Sequence, residues 1–220
     1  MPAAFGAPRA PTMARIFLLS PAQCSGLRAR LLLSPRAEFP LARQLRAAGA
    51  PLGEVFTFLS GLYFRGKLAY ARAFATPPDG LPGGVLVITP SAGLQPPEAP
   101  VTRRTVQRFA RVDIARSGPQ FRRPLLADAR ALAARLGPGD EVVLLGSIAS
   151  TKYVDVLASV FGARLCFPPD FVGRGDMSRG GLLLRCVAEG RELPYVSVVG
   201  AVRRGPRPPR LPPLRPAARP

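Results

Sequence analysis

The chain has 220 residues, 47% of them hydrophobic, which suffices for one α/β domain with a sizeable core. It carries 31 Lys and Arg against 13 Asp and Glu, a net charge of +18, and no histidine or tryptophan. The absence of histidine excludes every His-based catalytic triad and every His metal site.

From the N-terminus, residues 1–12 are small, Pro-rich and without pattern, and read as a disordered extension, with Met13 as an alternative start. Arg9 and Arg15 precede the apolar run Ile16 to Leu19, but Ser20-Pro21 ends it far below signal-peptide length. Gln23 before Cys24 also spoils a lipoprotein cleavage site. No run approaches a membrane span. Cys24, Cys166 and Cys186 are too few and too scattered for a disulfide framework, so reduced thiols and a cytoplasmic location are expected.

Four apolar runs read as strands covered on both faces: Arg15 to Leu19, Val85 to Thr89, Glu141 to Leu145, and Arg164 to Phe167. Helical patterns lie between them at Leu62 to Phe74, Leu125 to Leu136, Tyr153 to Phe161 and Gly181 to Ala188. Val55 to Leu59 and Arg111 to Ile114 read as edge strands. Alternating strands and helices give an α/β fold, one three-layer domain over residues 13–200, with a mainly parallel sheet and helices on both faces.

Residues 201–220 hold six arginines, seven prolines and no acid, and read as a disordered basic tail. Removing those arginines and Arg9 leaves 24 basic residues against 13 acidic between Arg15 and Gly200. Such an excess favours nucleic acid, nucleotides or acidic surfaces. A genome-wide bias towards Ala, Arg, Pro and Gly explains it equally well, because the charge looks spread along the chain.

The chemistry is sought in the turns after the strands, since parallel strands deliver their turns to one carboxyl edge, where open α/β sheets bind ligands. After the first strand come Ser20 and Ser25, after the second Ser91 and Gly93, and after the third Gly146, Ser147, Ser150, Thr151 and Lys152. Small hydroxyl and glycine residues permit close backbone approach, although turns use them anyway. The third turn places Lys152 at a helix start, where free N–H groups and a cation suit a phosphate or carboxylate; a plain N-cap by Ser150 or Thr151 is the alternative.

Gly173 to Gly181 mixes four glycines with Arg174, Asp176 and Arg179, and reads as a lid or anion clamp across the cleft mouth, with a capped Gly-rich loop as the alternative. Asp176 is the expected general base and Lys152 the stabiliser of developing negative charge. Cys24 is a further nucleophile candidate, though no histidine exists to activate it and a packed thiol reads as well. Gly61 to Lys67 fits G-x-x-x-x-G-K, but Leu68 stands where Ser or Thr must hold magnesium, and Leu62, Tyr63 and Phe64 are too bulky for a phosphate cradle. Tyr63, Leu68, Ala71 and Phe74 are instead expected to face the core while Arg65, Lys67 and Arg72 face outward.

The succession LLSPAQCSG, YFRGKLAYARAF, ITPSAGLQPPEAPV, VVLLGSIASTKYVDVL and GRGDMSRGGLLLR resembles a group of small bacterial α/β proteins over Arg15 to Arg185. Its strand-then-turn order is distantly similar to uracil-DNA-glycosylase-like domains, also found in enzymes that modify tRNA bases. The acidic water-activating loop and the histidine-bearing loop of the glycosylases have no counterpart here. The resemblance therefore implies a nucleobase or nucleotide ligand more than glycosidic cleavage.

The expected function is binding of a nucleotide, nucleobase or other phosphorylated ligand at the sheet edge, with chemistry on an N-glycosidic or phosphoryl bond as its enzymatic form. The alternative is a non-catalytic nucleic-acid-associated protein using its arginines. Neither reading names a cofactor, and none calls for a metal site or a membrane partner.

Overall fold

A computed structural model of the chain describes residues 13–211 except Ser117 and Ser150. The expectations for residues 1–12 and 212–220 fall outside the described residues. In chain order the elements are β1 (Arg15–Leu19), α1 (Leu27–Leu33), α2 (Pro40–Ala47), β2 (Ala50–Pro51), α3 (Leu52–Ser60), α4 (Leu62–Phe74), β3 (Val85–Ile88), β4 (Leu94–Gln95), β5 (Pro100–Val101), α5 (Arg103–Ala110), α6 (Pro119–Ala133), β6 (Glu141–Leu145), α7 (Thr151–Phe161), β7 (Leu165–Phe167), α8 (Asp176–Glu189) and β8 (Val196–Ser197).

The main sheet has six strands in the order β4-β3-β1-β6-β7-β8. β3, β1, β6 and β7 run parallel, and β4 and β8 flank them antiparallel. β2 and β5 pair separately. Strand side chains alternate faces, so β1 splits its apolar residues between two cores. Phe17 and Leu19 join α1 to α5 and α8 on one side; Ile16 and Leu18 join α6 and α7 on the other. β6 does the same with Val143 and Leu145 against Val142 and Leu144. This double coverage is why the strands read as continuous apolar runs.

The chain leaves β1 towards β3 on one side and later returns to place β6 on the other. The order therefore reverses between β1 and β6, and the turns beginning at Ser20 and Gly146 leave the sheet side by side, the Ser20 amide donating to the Leu145 carbonyl at 3.1 Å.

Two expected edge strands are not strands. Val55 to Leu59 lies inside α3, whose buried Leu52, Val55, Phe56 and Leu59 recur at helical spacing. Arg111 to Ile114 is a turn leading into a single 3-10 turn at Ile114–Arg116, too polar to enter the sheet. The Gly-rich loop is also shorter than expected. Asp176 to Gly181 form the first turns of α8, because Gly180 lies against α4: a Cβ on Gly66 would sit 2.7 Å from the Gly180 carbonyl oxygen, and one on Gly180 would sit 2.8 Å from the Leu62 carbonyl oxygen. Of the expected tail, residues 201–211 have no regular structure. Leu211 packs on the core there, and Arg174 donates to the Pro209 carbonyl at 3.4 Å.

Candidate functional site at the carboxyl edge

A cleft of about 850 Å³ opens at the carboxyl edge, over the reversal between β1 and β6. Its floor and one wall come from the turn after β1, Ser20 to Ser25; Ser147, Lys152 and Tyr153 supply the β6 side. Tyr63 of α4 and Asp176 at the start of α8 close a third side, and the segment from Phe109 to Ala115 forms the outer wall.

The expected site residues divide. Ser20, Ser25, Ser147, Lys152 and Asp176 line the cleft together, as strand direction requires. Gly146 lies directly behind it. A Cβ there would come within 2.8 Å of both the Ser20 Cβ and the Tyr153 hydroxyl and 3.2 Å from the Ser20 Oγ, so only glycine lets these groups converge. Ser150 lies outside the described residues, and Thr151 is exposed at the start of α7 away from the cleft lining.

The turn after β3 behaves differently, because it reverses into β4 as a hairpin rather than crossing over the sheet. Gly93 takes a left-handed φ of 60° with Asp128 packed against it, and Asp128 accepts from the Leu94 amide at 2.9 Å. Pro90 alone of this turn reaches the cleft, leaving Ser91 and Gly93 off its walls.

Nor do the two arginines lie across the mouth. Arg179 is buried, donating from Nε and Nη2 to the Phe171 carbonyl at 3.1 and 3.0 Å and pairing through Nη1 with Asp176 at 3.4 Å. Arg174 donates to the Asp170 carbonyl at 2.9 Å and the Ser178 hydroxyl at 3.3 Å. Both guanidiniums satisfy the backbone that leads into α8 and keep their forks off a ligand. Asp176 is thus a helix-start carboxylate paired with Arg179, not a loop residue between glycines. Cys24 lines the cleft, but burial pushes its thiol up to about 12, which keeps it protonated and unreactive.

The group missed in the sequence is Lys67. Expected to face outward, it is 1% exposed. Its Nζ donates to the Ser20 carbonyl at 2.6 Å and to the Ser20 Oγ at 2.8 Å. The rings of Tyr63 and Phe64 lie 4.5 and 4.8 Å from Nζ. The close contact of α4 with α8 through Gly66 and Gly180 covers the face that a surface helix would leave wet. Burial pushes the Lys67 ammonium down to about 7, opposed by the Asp176 charge and reinforced by Arg179. The signal was present: Tyr63, Lys67, Tyr70 and Phe74 recur at i, i+4, i+7 and i+11, one face of a helix.

Two tyrosines complete the site. Burial raises both the Tyr63 and Tyr153 hydroxyls above their ordinary range, so both remain neutral donors at physiological pH. Tyr153 donates to the Ser147 carbonyl at 3.1 Å. The Tyr63 hydroxyl is buried beside the Arg179 guanidinium, a donor that opposes the upward shift, and has no acceptor for its proton among the described residues. Compared with protein-family models, curated proteins and solved structures, the chain finds no match.

Proposed function

We propose that the protein binds a nucleotide, nucleobase or other phosphorylated ligand in the cleft at the β1–β6 reversal. The observation that carries this reading is the composition of one cavity: aromatic walls from Tyr63, Phe109 and Tyr153 beside the polar Ser20, Ser25, Ser147, Lys152 and Asp176. The lining is more polar than apolar, which suits a small polar ligand held by several hydrogen bonds and charges against a few ring faces. Arg111 on the outer wall and Lys152 opposite supply cations for a phosphate, with Asp113 and Asp176 as acceptors for base N–H groups.

A second reading, contact with nucleic acid, is favoured by one observation. The segment 103–123 carries seven arginines against the single acid Asp113, and Arg104, Arg108, Arg111, Arg116, Arg122 and Arg123 are exposed. Of these, Arg111 lines the cleft, so a polynucleotide backbone passing its outer wall would meet this basic segment.

Salt separates the two. Titrating the full chain with nucleobases, nucleotides, inorganic phosphate and oligonucleotides at low and high salt should show thermal stabilisation by a nucleobase or nucleotide that persists in salt. Lys152→Ala should weaken a nucleotide by about 1–3 kcal/mol, as for one charge-assisted hydrogen bond. Stabilisation only by oligonucleotides, lost steeply with salt, would move the function to the arginine rim.

A further inference from the structure

We infer that Ser20 and Lys67 form a nucleophile–base dyad, and that the cleft hydrolyses carboxylic esters through an acyl-Ser20 intermediate. This rests on the cleft being the ligand site but not on the identity of the ligand.

Three observations converge on it. Lys67 Nζ stands 2.8 Å from Ser20 Oγ, within reach for proton transfer. Ser20 lines the cleft while Lys67 lies wholly beneath it, so the base reaches substrate only through the serine. The buried Tyr63 hydroxyl on the cleft wall has no acceptor among the described residues, and the Arg179 guanidinium beside it can only donate, which leaves the Tyr63 proton for a third group.

A charged lysine would donate to Ser20 and suppress its reactivity. Around neutral pH a substantial fraction of Lys67 is the free amine, whose lone pair faces the serine proton. The charged and titratable groups around it are Asp176, Arg179, Tyr63 and Tyr153. Asp176 favours the ammonium and Arg179 the amine, while both tyrosines stay protonated.

The step balances without any co-reactant but water. The Lys67 amine takes the Ser20 proton as Oγ bonds to the ester carbon, and the carbonyl π pair moves to oxygen. The Tyr63 hydroxyl donates to that oxyanion. Collapse breaks the bond to the alkoxide, which leaves as the alcohol with the proton from Lys67. Water then attacks the acyl-serine, giving its proton to Lys67; collapse releases the acid, and Ser20 recovers its proton. Neutral tyrosine donors suit a substrate that starts uncharged and becomes an oxyanion, which favours an ester over an anionic phosphoryl group.

The test uses the full chain with a fluorophosphonate and with p-nitrophenyl acetate, followed by intact mass and peptide mapping. The expected result is one adduct, on Ser20, forming at a rate that rises with pH around a midpoint near 7. Ser20→Ala should abolish the adduct with its melting temperature retained. Lys67→Met should slow labelling by about 10²- to 10⁴-fold, the contribution of a positioned base. The pH profile of the unaltered protein keeps the test informative should Lys67→Met misfold. No adduct, an adduct on another residue, an adduct surviving Ser20→Ala, or a rate flat in pH would each overturn the dyad. Nucleotide binding without labelling would reject the dyad and keep the binding reading; labelling of Ser20 without nucleotide stabilisation would do the reverse.

Discussion

The two ends of β1 each bury a cation, and they treat it in opposite ways. At the amino end Arg15 donates to Glu141 at 2.8 and 2.9 Å and to Glu192 at 2.9 Å, with Tyr195 under the guanidinium. Two carboxylates over-neutralise one cation there, and the three side chains are only 18–31% exposed. At the carboxyl end Lys67 is buried more deeply, yet its hydrogen bonds go to a carbonyl and a hydroxyl of Ser20. A charge paired with carboxylates ties strands together. A lysine buried without one weakens the fold at neutral pH, and such a cost is tolerated where a shifted proton affinity is used. The difference therefore fits a stabilising amino end and, under the proposed dyad, a reactive carboxyl end.

The largest expected effect removes what both ends share. Phe17 sits between them, wholly buried and edge-on to Tyr70 and Tyr195 at 5.8 and 6.1 Å. Phe17→Ala should cost about 3–5 kcal/mol in denaturant unfolding. A loss below about 1 kcal/mol would mean that β1 is not the common scaffold of the two sites.

The next effect isolates the carboxyl end by pH. Lys67 has a folded pKa of about 7 against an ordinary 10.5, so between these values the unfolded chain binds more protons than the folded one. Stability then rises with pH across that window. The Lys67 contribution to the rise from pH 7 to 9 should be about 2 kcal/mol, at most about 1.4 kcal/mol per unit. The buried thiols and tyrosines, whose folded pKa values are raised, bind protons longer in the folded state and pull stability down, the thiols from about pH 8 and the tyrosines above about pH 9. Lys67 is therefore read from the difference between the unaltered protein and Lys67→Met. Urea melts at pH 7, 8 and 9 measure the slope, and Lys67→Met should flatten it. A slope that survives this substitution would place the titrating group elsewhere.

Breaking the amino end should show the complementary behaviour. Arg15→Met leaves Glu141 and Glu192 without their cation in a half-buried setting, and should cost about 1–3 kcal/mol at neutral pH. Ser20 labelling should be unchanged; a fall in labelling would show that the two ends are coupled through the strand.

Much of this contrast was legible in the sequence at the level of elements and little at the level of partners. The strands at Arg15, Val85 and Glu141 were readable because a doubly covered strand is continuously apolar, and that placed the turns at Ser20 and Gly146 at one edge. α3 was misread because Val55-Phe56-Thr57-Phe58-Leu59 is rich in residues that favour strands, while its helical spacing shows only when Leu52 is included. Lys67 was misread because lysine normally faces water; whether its face of α4 is covered depends on α8 crossing at Gly180, more than a hundred residues away. Arg174 and Arg179 failed as clamps for the same reason. A sequence shows that a guanidinium is present but not that the Phe171 and Asp170 carbonyls already occupy it.

The smallest expected effect on stability is also the sharpest test of the division, because it uses two tyrosines on one helix. Tyr70 belongs to the amino end: its hydroxyl hydrogen-bonds that of Tyr195 at 2.7 Å and accepts from the Leu193 amide at 2.7 Å. Tyr70→Phe leaves a buried N–H and a second hydroxyl short of a partner, and should cost about 1–2 kcal/mol. Tyr63 belongs to the carboxyl end, and its buried hydroxyl has no acceptor to lose among the described residues, only the Arg179 guanidinium beside it. Tyr63→Phe should leave stability unchanged or raise it by up to about 1 kcal/mol, since folding no longer strips water from an unsatisfied group. The same substitution should slow hydrolysis of p-nitrophenyl acetate by about tenfold or more, the loss of one oxyanion donor. Urea melts and hydrolysis rates on both variants set the outcome. If Tyr63→Phe destabilised the fold as much as Tyr70→Phe, the hydroxyl would be a structural group, and the cleft would lose the donor assigned to it.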